Sequence, residues 1–226
     1  MENFAKILSQ DNLIFMLYGA GLSLLLAAIA VCFGLILGTL GAAAKLSKFR
    51  ILRIIGNVYV EVIRGPPMLL QILFFYLAVP TIIQTITGER FVADAFVCGA
   101  IALSINSGAY STELIRSGIQ GVDKGQWEAC ETIGMSYFQT MRHVDLPQAF
   151  KRIVPPIVSE FITLIKDSSL ISCIGVSELL LRTQVIAANY GDYMTALVGA
   201  GIMYLAMTLT VSYFARRLER KLAESD

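Results

Sequence analysis

The chain has 226 residues, 56% of them apolar and only 15% charged, with a mean hydropathy of +0.67. A typical soluble domain is about 45–50% apolar and about 25% charged, so these figures exclude a disordered chain, argue against a water-soluble monomer and point to lipid as the main solvent. A net charge of +1 gives no field that would draw nucleic acid. One His and four scattered cysteines (32, 98, 130 and 173) make neither a zinc ribbon nor a disulfide framework, and no metal site is expected.

Leu13 to Ala44 is a run of 32 residues without formal charge. A bilayer core of about 30 Å needs roughly 20 helical residues, so this run spans with some to spare. It is too long for a signal-peptide core, and no basic region precedes it. Gly65–Gly88, Ala95–Thr112 and Tyr193–Ala215 are further charge-free runs, and a weaker candidate at Ile153–Val176 carries Glu160, Lys166 and Asp167. The expected fold is therefore an all-α membrane protein with five transmembrane helices, residues 1–226 forming a single transmembrane domain. Cytoplasmic placement of the first loop, the loop after span three and the C-terminus puts thirteen basic residues inside and three (Lys6, Arg90 and Arg182) outside. The N-terminus is thus expected outside and the C-terminus inside.

The second span is expected to begin near Leu52. Glu61 and Arg64 then lie three apart on one face of its inner half, where the plain reading is a structural ion pair. Pro66 and Pro67 follow and should bend the helix, with neighbours re-satisfying the freed carbonyls. Glycines on the first span (34, 38, 41) and the fifth (199, 201) suit close helix packing.

Residues 117–151 form the one long polar connection, 35 residues facing the cytoplasm. Asp123 and Gln126 stand in capping-box relation, so a helix is expected from Lys124. Trp127, Ala129, Cys130, Ile133 and Tyr137 recur at about helical spacing, giving an amphipathic stripe outside the membrane. Gly134 is expected to admit another backbone. Leu146-Pro147 should stop this segment, with Pro147 starting the next helix. The stripe suits packing under the bundle or docking of a soluble partner.

Glu128-Ala129-Cys130, then Gly134, then Val144-Asp145-Leu146-Pro147 resembles the EAA loop of type I ABC importer permeases: EAA, three residues, Gly, nine residues, an aliphatic, any residue, Leu-Pro. Cys130 replaces the second Ala and Val144 the usual Ile. Glu61-Val-Ile-Arg64-Gly65-Pro66-Pro67, Ala109-Tyr110 with Glu113, and Lys166-Asp167-Ser168-Ser169-Leu170 are similar to the polar amino acid branch of that family. The resemblance runs from about Leu13 to Glu219. It implies that Trp127, Glu128, Ala129, Cys130, Gly134, Leu146 and Pro147 belong to a coupling segment seated on an ATPase subunit. It also implies a second permease copy or close paralogue, an extracytoplasmic solute-binding protein, and residence in the inner or plasma membrane of a prokaryote. No G-x-x-x-x-G-K-[ST] sequence occurs, so ATP and Mg are expected on the partner and no cofactor on this chain. With one His, in the inner loop, no Ser/His/Asp set is credible, and no catalytic residue is expected.

Ionisable groups inside a membrane are costly and face a bundle interior or a wet cavity. Asn106, Tyr110 and Glu113 share one face of the third span, and a rise of about 1.5 Å per residue from Arg116 puts Asn106 about 15 Å deep. Ser159, Thr163 and Asp167 share a face of the fourth, with Asp167 about 22 Å above Arg152. An aqueous pathway between these stripes suits a zwitterionic amino acid: Asp167 accepts from its ammonium, Asn106 and Ser168 meet its carboxylate, and Glu113 favours a cationic side chain. The plain reading pairs Lys166 and Asp167 with neighbouring helices and Glu113 with Arg116. Two other classes remain open: an ion-coupled secondary carrier, against which stands the lack of inverted repeats, and a membrane scaffold that binds a partner without transport.

Overall fold

A computed structural model describes residues 6, 7 and 9–223. Among them every regular element is a helix: α1 (Gln10–Leu46), α2 (Arg50–Arg64), α3 (Met68–Thr87), α4 (Ala95–Gln120), α5 (Lys124–Thr132), α6 (Tyr137–Ile174), α7 (Leu179–Tyr190) and α8 (Tyr193–Ala223). Three of these, α1, α3 and α8, are long and apolar enough to cross a membrane, and a fourth crossing results if the bent pair α6–α7 counts as one. Polar residues from Ser104 to Thr112 dilute the apolar character of α4. Leu17, Leu40, Ile86 and Met194 are among many large apolar side chains left exposed, as hydrocarbon solvent permits.

Short polar side chains set the helix starts. The Ser9 hydroxyl accepts from the Asn12 N–H at the head of α1, and the Asp94 carboxylate accepts from the Val97 N–H (2.8 Å) at the head of α4. Asp192 accepts from the N–H (3.0 Å) and hydroxyl (2.7 Å) of Thr195, and these bonds hold its carboxyl below the usual range. At about 1.5 Å per residue, the 37 residues of α1 run to about 55 Å, longer than a hydrocarbon core of about 30 Å.

Prolines account for the irregular turns. The expected second span is two helices: the chain breaks at Gly65-Pro66-Pro67, and only α3 has spanning length. Within α3, residues Phe74–Ala78 form a π-turn that ends just before Pro80. Within α6, residues Met141–Asp145 form another, just before Pro147. A proline cannot donate to the carbonyl four residues back and its ring crowds that carbonyl, so a wider turn relieves the clash. Leu146-Pro147 therefore does not break the chain, which stays helical through α6, but regular α-helix starts at Leu146 with Pro147 in its first turn, as expected. Residues 179–190, unassigned in the sequence reading, form α7. It is bent 54° from α6 where Gly175 takes a left-handed φ of 87°.

Small residues decide how α1 meets α4. A Cβ on Gly34 would lie 2.6 Å from Ser107 Oγ, and Gly38 and Gly41 press against Ser111 and Thr112. The two backbones approach because no side chain separates them, and dispersion across this dry seam replaces the absent hydrophobic drive between helices in lipid. Around it a core of Leu26, Ala30, Ile72, Leu103, Leu164 and Ile171 joins α1, α3, α4 and α6. A second core of Met16, Ala20, Leu179, Ile186 and Ala196 binds α7 and α8 to the first half of α1. Between the two, buried Glu178 caps α7 through the Leu181 N–H (2.9 Å) and accepts from Ser23 (3.2 Å) and Tyr204 (2.8 Å). Of the fifth-span glycines, Gly199 has only Met16 near and Gly201 faces open space, so neither makes a seam.

Overpacking costs about 1–3 kcal/mol in a dense interior. Gly38→Leu is therefore expected to lower the thermal midpoint of the detergent-solubilised protein by several degrees. Gly201→Leu, facing nothing within 4 Å, should leave it unchanged. Equal midpoints for the two variants would remove the seam as the organising contact.

Candidate functional site

A polar cavity of about 440 Å³ lies where the α2–α3 break meets α4 and α6. Arg64, the Gly65–Pro67 corner and Met68 form one wall, Asn106 and Tyr110 of α4 the second, and Glu160, Thr163 and Asp167 of α6 the third. The structure thus brings together Asn106, Tyr110, Thr163 and Asp167 from two stripes on separate helices. Arg64 and Glu160, which the sequence reading did not assign to a site, complete the lining.

The corner itself depends on Gln71. Its side-chain amide donates to the carbonyls of Ile63 (2.8 Å) and Pro66 (3.0 Å), two acceptors that the prolines leave without helical partners. Its carbonyl oxygen in turn accepts from Asn106 Nδ2 (3.2 Å). One buried side chain therefore ties the chain break to the middle of α4 and orients Asn106. A Gln four residues after a Pro-Pro pair in an apolar run was the available signal. Arg64 does not pair with Glu61 as expected. Its guanidinium lies over the Tyr110 ring, 4.4 Å from the centroid. That stack borders a second hollow of about 280 Å³ that Glu61 lines.

Two expected members lie apart. Glu113 is held near the C-terminal end of α4 by an ion pair with Lys45 of α1 and by Arg116, whose Nη2 and Nε reach its Oε2 at 2.6 and 2.9 Å. Three long side chains thus tie the ends of α1 and α4 together. Ser168 is fully buried, its hydroxyl donating to the Ile165 carbonyl (2.8 Å). Ser159, on the expected polar stripe, donates to the Pro155 carbonyl (3.3 Å).

In the segment 117–151, α5 begins at Lys124 as expected, but Asp123 accepts from the Gly125 N–H (2.7 Å), and Gln126 pairs with Gln148 (3.4 Å). The reciprocal capping box forms instead at Ser136 and Gln139. The stripe is not one helix. It ends at Thr132, and Gly134 takes a left-handed φ of 78° with open space around it, so the glycine is required for the reversal and not for a close approach. The reversal folds Tyr137 back onto Trp127, ring centroids 5.3 Å apart, and leaves Ile133, Tyr137 and Phe138 exposed while Cys130 is buried. Asp145, in the π-turn of α6, is a nearly inaccessible carboxylate whose Oδ1 has no hydrogen-bond partner among the described residues. Leu146 is exposed beside it. The coupling residues predicted from the sequence thus gather on α5, its glycine turn and the foot of α6.

The chain matches the model of the binding-protein-dependent transport system inner membrane components over residues 30–224. It is 39% identical over 214 residues to the putative glutamine transport system permease protein GlnP of Rickettsia bellii, covering 95% of each chain. It is 37% identical over 212 residues to the arginine transport system permease protein ArtQ of Bacillus subtilis, covering 94% of each. Among solved structures, a crystal structure of an amino acid ABC transporter with histidines contains a chain that superposes with a TM-score of 0.86 and 35% identity, over 93% of this chain and 95% of that one. The inward-facing MetNI methionine ABC transporter shares the fold at a TM-score of 0.74 and 17% identity, over 95% and 99%.

This chain belongs to the binding-protein-dependent inner membrane components, a family of translocation subunits and not of enzymes. Its fold is that of ABC importer membrane subunits.

Trp127 is the single tryptophan, and its indole lies near enough to influence the Asp145 carboxyl, so its emission should follow that group. Burial pushes the Asp145 carboxyl up, outweighing the nearby indole, which pulls it down. The folded state therefore holds the proton to higher pH than the unfolded one. Stability should fall as pH rises from the ordinary Asp value of about 3.9 through the raised value. Trp127 emission should titrate over that same window, and Asp145→Asn, which keeps an acceptor, should abolish the titration. A wild-type emission flat across the window would remove the Asp145–Trp127 link.

Proposed function

We propose that this chain forms half of the membrane pathway of an ATP-driven importer of polar amino acids, with basic or amide-bearing ligands such as arginine, lysine, histidine or glutamine favoured. The observation that carries this reading is the cavity holding one guanidinium, one carboxamide and two carboxylates among three apolar helices. Such a set matches a zwitterion. Arg64 and Asn106 donate to the substrate carboxylate, while Asp167 and Glu160 accept from the ammonium or a cationic side chain. Tyr110 and Thr163 shape the walls. Glu113 and Ser168 act structurally in this scheme, one clamping α1 to α4 and the other closing the end of α6. The names of the similar glutamine and arginine permeases, and of the cystine permease TcyB of Bacillus subtilis at 40% identity over 87% of this chain and 82% of that one, agree with a polar amino acid.

The five crossings of this reading are α1, α3, α4, α6 with α7, and α8, in one domain of residues 1–226. The N-terminus lies outside and the C-terminus inside, in the membrane of a prokaryotic cell. The thirteen-to-three distribution of basic residues supports that orientation. The segment 117–151, with Trp127, Glu128, Ala129, Cys130, Gly134, Leu146 and Pro147, sits in a groove of an ATPase subunit that carries ATP and Mg. Closure of two ATPase subunits drags two such segments together. The membrane halves, this chain with a second copy or close paralogue, then turn outward to receive substrate from a solute-binding protein. Nucleotide thereby shifts the population between two access states.

Loss of a charge-assisted hydrogen bond costs about 1.5–3 kcal/mol, so Asp167→Asn and Arg64→Gln should each reduce uptake about tenfold or more. The test is reconstituted transport with the ATPase and binding protein present and a panel of labelled amino acids. Parental uptake in both variants would rule out this cavity as the site. Gly134→Val, which forces a left-handed φ on a β-branched residue, should lower uptake per ATP hydrolysed while leaving the cavity intact. An unchanged ratio would detach the glycine turn from coupling.

A further inference from the structure

Helix α2 carries a polar stripe that neither its neighbours nor lipid accounts for. Gly56 and Val60 are buried, and the Tyr59 hydroxyl donates to the Ile105 carbonyl of α4 (2.8 Å), so that side of α2 faces the bundle. Ile51, Ile55, Val58 and Val62 are exposed on the side away from it, as lipid contact allows. Between these faces Arg53, Asn57, Glu61 and Arg64 fall within about 80° of arc, and all four are exposed. Arg53 donates to the Ser47 and Lys48 carbonyls at the head of the helix. Among the described residues the Glu61 carboxylate has no ion pair and no hydrogen bond. Ionisable side chains are costly against hydrocarbon, so the stripe faces water or protein. The hollow of about 280 Å³ opens on it, lined by Val60, Glu61, Arg64, Gly65 and Tyr110. Arg64, Gly65 and Tyr110 also line the polar cavity. The walls that are not shared fix its direction. Glu61 lies about one turn before Arg64 in α2, and Asn106, which lines the polar cavity alone, lies about one turn before Tyr110 in α4. Both helices thus displace the hollow toward the end of the molecule where Lys45 pairs with Glu113.

We propose that this hollow is a relay site for the zwitterionic amino acid as it leaves the polar cavity. The substrate carboxylate stays with Arg64, which lines both hollows, while the ammonium passes from Asp167 and Glu160 to Glu61. A guanidinium offers five N–H donors, and among the described residues Arg64 gives none of them to a protein acceptor. The Tyr110 ring holds the group in the partition, 4.4 Å from its centroid, without using one. The hand-over keeps one charge-assisted contact while the other is exchanged, so no stage leaves both substrate charges unmatched. Asn57, about one turn beyond Glu61, extends the polar route toward Arg53. The relay rests on the reading of the polar cavity given under Proposed function.

The test uses the assembled, reconstituted transporter with labelled arginine and glutamine. Uptake is measured with the binding protein present, and equilibrium binding to the transporter with it omitted. Glu61→Gln should lower the maximal uptake rate of both amino acids about tenfold and leave binding within about twofold of wild type, whereas Asp167→Asn should lose both. Parental uptake by Glu61→Gln beside an impaired Asp167→Asn would overturn the relay and leave the cavity standing. Parental uptake and binding by Asp167→Asn would strike the cavity, and the relay with it. Equal loss of binding in the two variants would also overturn the relay, because Glu61 would then belong to the first site. The stripe is read separately in a Cys32→Ser/Cys98→Ser/Cys173→Ser background. A thiolate forms in water and not in hydrocarbon, so Asn57→Cys should react with a charged methanethiosulfonate about tenfold faster than Val58→Cys in sealed membrane vesicles of mixed orientation. Equal rates would overturn the aqueous route, as they would if a second copy of the chain covered the stripe.

Discussion

The close approach of α1 and α4 is the constraint on which the other arrangements depend. Gly34, Gly38 and Gly41 let α4 lie against α1 along the Ser107, Ser111 and Thr112 face. Once that face is committed, rotation by one residue on each turn places Asn106 and Tyr110 toward α2, α3 and α6. A helix that hydropathy alone grades poorly is held in place by its small and hydroxylated side, and its larger polar groups are thereby turned into the cavity. The Lys45–Glu113–Arg116 cluster at the C-terminal ends of α1 and α4 fixes the same pair of helices where the seam runs out.

The cavity lies where the chain is interrupted between α2 and α3. Irregular backbone survives in a membrane only where protein or a wet cavity satisfies it. Gln71 satisfies the carbonyls of Ile63 and Pro66, and the same side chain accepts from Asn106. The break and the candidate site are therefore one hydrogen-bonded unit, and the glycine-proline corner supplies a wall of the site as well as a bend. The charged groups around it, Arg64, Glu160 and Asp167, face one another across the hollow and avoid lipid, as the cost of burying isolated charge requires.

Force applied to the inner loop has a short physical route to that unit. Trp127 on α5 packs against Tyr137 at the foot of α6, ring centroids 5.3 Å apart. From there α6 continues without a break to Glu160, Thr163 and Asp167. A helix with one end in the loop and its middle in the cavity wall is the element through which movement of α5 would alter the cavity.

Much of this was legible in the residues themselves. Charge-free runs, the EAA spacing and the polar positions 106, 110, 163 and 167 were readable because hydropathy, motif spacing and helical periodicity are local properties. The local rules misled where a proline or glycine acts through geometry. Pro147 does start regular α-helix, but the π-turn before it keeps the chain helical where a stop is expected, and Gly134 serves the turn through its left-handed φ and not as a contact point. Residues 179–190 hid a helix because a bend, and not a change in composition, separates them from α6. The sequence by itself determined that this is a helical membrane protein of the importer type, with polar groups placed at depth, since the bilayer reads composition directly. Only the tertiary structure decided that Arg64 and Glu160 join the cavity while Glu113 leaves it. Long side chains choose partners by where neighbouring helices bring opposite charge within reach, and no spacing along one helix contains that information.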